Sequence, residues 1–180
     1  MKIVILLLLF NSLYANIKQN MLNLYKNQEY KKVCIQGASK FTKFRKDESL
    51  ISLYAFACLK SNFIDKLSIP IVILKNSKEA RSNSAYFSII LMQKKLLYKA
   101  LIDGYNLSLL NLPTTTYLFS KVFDMYVQLG EHTKQEFYIF EDEEDKKRSY
   151  KLYVQKYKNS YSIIIEEFFN NLKIKRNIYK

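Results

Sequence analysis

Two cysteines, one histidine and a few clustered carboxylates are the side chains with chemistry to offer. Cys34 and Cys58 are the only thiols in the chain. A pair of thiols can bind metal, run redox chemistry or join. His132 is the single histidine, so a His-based metal cage is excluded. A redox centre needs a resolving thiol beside the attacking one, as in C-x-x-C, and these two are far apart in sequence. A disulfide is the expected outcome in a secreted chain; two buried thiols acting as small apolar side chains are the alternative.

The remaining candidates give no reaction. Gly37, Gly104 and Gly130 stand singly, so no glycine-rich loop can cradle a phosphate. His132 has no second histidine as a proton relay and reads as a solvated ring beyond a helix end. No serine sits in a nucleophile elbow. Glu166 and Glu167 are adjacent and on a helix would point about 100° apart, too far to share a substrate. The acidic run Glu141–Asp145 lacks the alternate spacing and glycine of a calcium loop. It reads as a solvated helix end or as a contact for a basic partner. The chain is therefore expected to be no enzyme, with no catalytic residue, cofactor, metal or evident small-molecule substrate.

The opening residues read as an address. Lys2 precedes the apolar run Ile3–Phe10, then Asn11 and Ser12 turn polar and Ala15 offers a small residue for a signal peptidase. The run is shorter than the roughly 20 residues that span a bilayer. Cleavage between Ala15 and Asn16 would leave a periplasmic or secreted chain; an uncleaved, membrane-tethering segment is the alternative. The excess of Lys, Asn, Ile, Tyr and Phe without Trp looks like AT-rich bacterial coding.

Lys and Arg number 29 against 16 Asp and Glu, a net +13. Residues 16–128 carry a net +10, residues 129–145 a net −6 and residues 146–180 a net +8. Such blocks suggest separate surfaces for separate contacts. The stretch Lys40-Phe41-Thr42-Lys43-Phe44-Arg45-Lys46 fits a solvated turn with Phe41 and Phe44 packed inward, or an anionic surface such as lipid head groups or peptidoglycan carboxylates. Nucleic acid is scarce outside the cytoplasm and is not an expected partner.

The elements that must position these groups read as helices. Apolar residues at 49% and charged residues at 25% exclude disorder and a protein of many membrane spans. Three Gly and two Pro are too few turn residues for a sandwich or barrel, so the fold class predicted is all-α. The predicted helices cover 17–27, 29–43, 47–60, 63–76, 79–93, 95–110, 115–129 and 132–146. Asp47 with Ser49 caps the third, Pro70 kinks or shortens the fourth, and Pro113 with Thr114–Thr116 separates the sixth from the seventh. Leu118, Val122, Met125, Tyr126 and Leu129 form one helical face. Cys34 lies 12 residues before position 46 and Cys58 12 after it, so an antiparallel hairpin turning there brings them together. The bridge would close a loop of about 25 residues and stabilise by roughly 3 kcal/mol. Beyond Gly130 neither Gly nor Pro recurs, and Asp142–Lys146, Glu143–Lys147 and Glu144–Arg148 have the acid-before-base spacing that favours helix. Tyr150, Tyr153, Val154 and Tyr157, then Tyr161, Ile164, Ile165, Phe168, Phe169 and Leu172, are expected to face inward from a C-terminal helical hairpin.

Three windows, starting at Tyr25, Leu59 and Met92, share a large apolar residue, a short polar turn and apolar residues at their sixth and ninth places. Their starts lie 34 and 33 residues apart, and a weaker fourth window starts at Leu129. The pattern resembles tetratricopeptide repeats. The resemblance implies a solenoid of helical hairpins over residues 16–146, with residues 147–180 as a helical cap and basic tail. It further implies a scaffold or adaptor binding a protein partner in an envelope assembly, such as a secretion, outer-membrane assembly or flagellar motor complex. The first helix of each pair would line the concave face, which makes Asn20, Asn23, Asn27, Ser52, Asn83, Tyr86 and Gln93 the partner-binding candidates. A cell-wall-associated enzyme or accessory is the other class of reading.

Overall fold

The computed structural model describes residues 16–179, which divide into two compact units meeting in sequence at Ala85 and Tyr86. The expected signal segment, residues 1–15, lies outside the described residues.

The first unit is helical: α1 (16–26), α2 (Tyr30–Phe44), α3 (Glu48–Lys60), a 3-10 turn (Ile64–Leu67) and α4 (Ser68–Ile73). Its turns dispense with glycine. Gln28 and Asn62 take positive φ (59° and 63°), the conformation that usually calls for glycine or asparagine. Asp47 caps α3 by accepting the Leu50 N–H at 3.0 Å, and its other oxygen accepts from Lys18 Nζ at 3.0 Å. Pro70 stands within the first turn of α4, where a missing N–H costs little. The predicted 63–76 helix is accordingly split into a 3-10 turn and a short α-helix. Val33, Cys34, Phe44, Leu50, Ile51, Tyr54 and Cys58 are buried at the α2–α3 contact. Gly37 makes that contact close: a Cβ there would sit 2.3 Å from the Tyr54 ring. Cys34 and Cys58 are bonded as a disulfide, Cα atoms 4.7 Å apart. The first unit thus matches the predicted helices as far as α3, and the predicted bridge, but not the single helix predicted over 63–76.

The all-α class fails in the second unit. The described residues are 52% helix and 20% strand, a mixed α and β protein. α5 (Lys78–Asp103) begins in the first unit and runs 26 residues without a break. The turn expected near residue 94 is absent because the chain offers no Gly or Pro there, and Gln93 and Lys94 are buried within the helix. In α6 (Leu118–Gln128), Ser120 Oγ of the first turn accepts from Thr115 N of the preceding loop at 2.9 Å. Its buried face is Phe119, Val122, Phe123 and Tyr126, so Val122 and Tyr126 were placed correctly while Leu129 is exposed.

Residues expected to be helices form one antiparallel meander: β1 (Phe137–Glu141), β2 (Arg148–Tyr157), β3 (Ser160–Phe169) and β4 (Leu172–Tyr179), in that order. Tyr150, Leu152, Ile163, Ile165 and Tyr179 alternate onto a buried face, where Tyr179 packs on Phe119 (4.8 Å between rings) and Tyr138 on Tyr126 (5.0 Å). The hairpin turns are Lys158-Asn159 and Asn170-Asn171. Asn170 and Asn171 both have positive φ (48° and 64°), the geometry that matches strand twist in a two-residue hairpin.

The meander overturns the tetratricopeptide reading. The windows at Tyr25 and Leu59 do fall on interhelical turns, but the one at Met92 lies inside α5 and the one at Leu129 leads towards β1. Among the described residues no run of hairpins keeps a constant period, and residues 148–179 form a sheet. Tyr150 and Val154 share one face of it, Tyr153 and Tyr157 the other, so the aromatic helix face does not form.

Candidate functional site

The seven sequence candidates do not converge. Asn20 and Asn23 are exposed on α1, where Gln19 Nε2 donates to Asn23 Oδ1 at 3.0 Å, and Asn27 is exposed in the turn after it. Ser52 and Asn83 are half-buried and bonded to each other, Nδ2 to Oγ at 3.1 Å. Tyr86 is half-buried in the second unit. Gln93 is fully buried, its amide donating to the Pro113 carbonyl at 3.1 Å, which removes it from any surface.

The acidic run is no helix end. It is the β1–β2 turn, organised by Asp142. This buried carboxylate accepts from Lys121 Nζ (2.8 Å), Tyr150 Oη (2.6 Å) and Glu144 N (3.0 Å). Burial pushes its carboxyl up, but the Lys121 and Tyr150 hydrogen bonds outweigh that and hold it at about 2. The cluster ties α6 to the sheet. His132 is equally structural: its ring packs on Tyr126 and Tyr138 at 5.0 and 5.4 Å, and Nδ1 donates to the Gly130 carbonyl at 2.9 Å. Among the described residues no three His, Cys, Asp or Glu side chains gather as a metal site.

The surface with most to offer is the outer face of the sheet. Strand register builds it in rows. Phe137, Tyr153, Ile164 and Ile178 form one row; Ile139, Lys151, Glu166 and Arg176 the next; Glu141, Ser149, Phe168 and Lys173 the third. Ile139 is 64% exposed, and Phe137 and Ile178 of the neighbouring row are 40% and 38% exposed, while Ile164 of that row is buried. Grouped exposed apolar side chains of this kind mark interaction surfaces, whereas single ones need no explanation.

The charges on this face are layered. Glu166 lies low, its side chain 11% exposed, and accepts from Tyr153 Oη (3.3 Å), Lys173 Nζ (3.4 Å) and, as an ion pair, Arg176 Nε (3.5 Å). Lys173 and Arg176 stand above it, 53% and 37% exposed. Lys151 Nζ rests 4.0 Å from the centre of the Phe137 ring, a cation–π contact. Lys175 reaches Glu167, on the opposite face, at 3.9 Å. Glu166 and Glu167 are thus on opposite faces because strand side chains alternate, and they cannot share a substrate for that reason rather than a helical one. Towards β4 the carboxylate Glu166 is sunk and the cations are presented, while Glu141 stands exposed at the β1 end. The β4 side of the surface attracts anions, and the face leaves apolar area exposed.

None of the seven partner-binding candidates lies on this face, and its Tyr153, Ile164 and Phe168 were expected on the inward side of a helical cap. The available signal was period-two alternation: Lys173 and Lys175 about Ile174, and Tyr150, Leu152 and Val154 about Lys151 and Tyr153.

The fold class is therefore a helical unit followed by a helix-backed antiparallel sheet, joined through the long helix α5 in sequence, with an apolar and cationic sheet face. No family of known proteins, no characterised protein and no solved structure matches the chain. The disulfide suits an oxidising compartment. No helix among the described residues is long and apolar enough to cross a membrane.

Proposed function

We propose that this protein is a non-enzymatic adaptor of a bacterial cell envelope, exported by its first fifteen residues, cleaved after Ala15 and docked to a protein partner through its sheet. The observation that carries this reading is the outer sheet face, where Phe137, Ile139 and Ile178 stand exposed beside Lys151 and Arg176. Apolar side chains ringed by charge are the composition of a protein interface rather than of a solvated surface. The bridge between Cys34 and Cys58 supports an oxidising destination, and the Lys2-to-Ala15 pattern supports the route.

The test places a photo-crosslinking amino acid at Ile139 or Ile178 and, for comparison, at exposed Ile35 on α2. Illumination of intact cells should give a discrete adduct in the envelope fraction from the sheet positions and none from Ile35. The purified chain should begin at Asn16. Adducts from Ile35 alone, or a chain retaining Met1 in the cytoplasmic fraction, would contradict the proposal.

A further inference from the structure

We infer that β4 is a docking edge, and that it takes an extended acidic segment of a partner protein as a fifth strand. The inference rests on the adaptor reading and names the partner's chemistry. β4 pairs with β3 alone, and the sheet order leaves it outermost. Residues 172–176 are all exposed, so the open part of this edge is its first five residues, while Asn177 and Tyr179 are buried. A strand so placed offers one row of backbone donors and acceptors to a newcomer, the basis of recognition by strand addition.

Charge selects what can be added. Lys173, Lys175 and Arg176 fall within four residues, and their side chains are 53%, 65% and 37% exposed. The carboxylates that meet them, Glu166 and Glu167, are only 11% and 15% exposed. An approaching chain therefore meets cations first. Surface pairs of this sort are worth little, so the cations can turn to a second carboxylate at small cost. Exposed Leu172 and Ile178 give the newcomer apolar cover at both ends of the basic stretch.

The same charges disfavour a second copy of the chain. Antiparallel pairing of β4 with its own copy sets cation against cation, which destabilises cross-strand pairs. β1 of a second copy is flanked by acids, but a β1-to-β4 joint is head-to-tail and would run on into filaments.

The experiment uses the mature, disulfide-bonded chain and a fluorescent peptide of alternating Glu and Val. Three controls accompany it: the Lys and Val counterpart, the acidic peptide with alternate backbone nitrogens methylated, and phosphatidylglycerol vesicles. Anisotropy should report binding of the acidic peptide alone. Amide exchange should slow at residues 172–179. The double variant Lys173→Gln with Lys175→Gln should weaken binding about tenfold while its far-ultraviolet spectrum stays unchanged. Equal binding of the methylated peptide would overturn the inference, since charge without strand pairing would then suffice. So would protection elsewhere, preference for the vesicles, self-association on sedimentation, or no binding. If β4 fails while crosslinks from Ile139 persist in the envelope, strand addition falls and the adaptor reading stands; if both fail, both fall.

Discussion

In the first unit a covalent bridge and a missing side chain hold two helices together; in the second, buried rings and a half-exposed lysine on a buried carboxylate hold a helix to a sheet. Cys34 and Cys58 lock α2 to α3 where Gly37 lets the Tyr54 ring approach. Tyr179 on Phe119, and Lys121 with Tyr150 on Asp142, do the corresponding work between α6 and the strands. Each unit is therefore vulnerable at a different point. The first depends on the redox state of its surroundings, and the second does not.

The largest effect that can break this comparison is expected in the second unit. Tyr179 is among the largest fully buried side chains, and Tyr179→Ala should lower stability by about 4 kcal/mol, measured by denaturant unfolding. Next comes the bridge: Cys34→Ser with Cys58→Ser should cost about 3 kcal/mol, and reductant should reproduce the loss in the parent chain. A parent chain indifferent to reductant would remove the contrast between the units.

Acid sharpens the comparison because each unit has its own depressed carboxylate. Glu48 accepts from the backbone N–H groups of Asn76 (2.8 Å), Lys75 (3.0 Å) and Ser77 (3.0 Å), which holds it at about 2. Asp142 is held at about 2 by Lys121 and Tyr150 against the opposing effect of burial. A carboxyl lowered on folding stabilises above its unfolded value and loses that contribution as pH falls through the folded one. Stability should therefore decline between roughly pH 4.5 and 2. Glu48→Gln should flatten the part of that decline which belongs to the first unit, and Asp142→Asn the part which belongs to the second, by pH-dependent melting. Asp142→Asn should also cost about 2 kcal/mol at neutral pH by weakening bonds to Lys121 and Tyr150.

The smallest effect is expected at Phe168. On a helical cap it would have been core, but on the outer face of β3 it is half-buried, and Phe168→Ala should cost about 1 kcal/mol. A loss near the full cost of a core phenylalanine would mean that this face is covered.

The first unit was legible because its local and long-range signals agree. Asp47 caps where the apolar period begins, and the cysteines are equidistant from the turn. The sheet was not legible because its turns carry no Gly or Pro. Lys158, Asn170 and Asn171 supply positive φ from side chains that a helix also accepts, and the acid–base spacing from Asp142 to Arg148 imitates a helix while building a turn around one carboxylate. Repeat spacing misled in the same way at Met92, where polar residues that look like a turn pass through the buried middle of α5. The docking face followed the sheet into invisibility, since Lys151, Glu166 and Arg176 become neighbours only through strand register.

Amide exchange of the mature chain, oxidised and reduced, with and without the Glu and Val peptide, tests the central claim most directly. Reduction should speed exchange across residues 30–60, and the peptide should still protect residues 172–179 in the reduced chain. Loss of the β4 protection on reduction, or its absence in the oxidised chain, would contradict that claim.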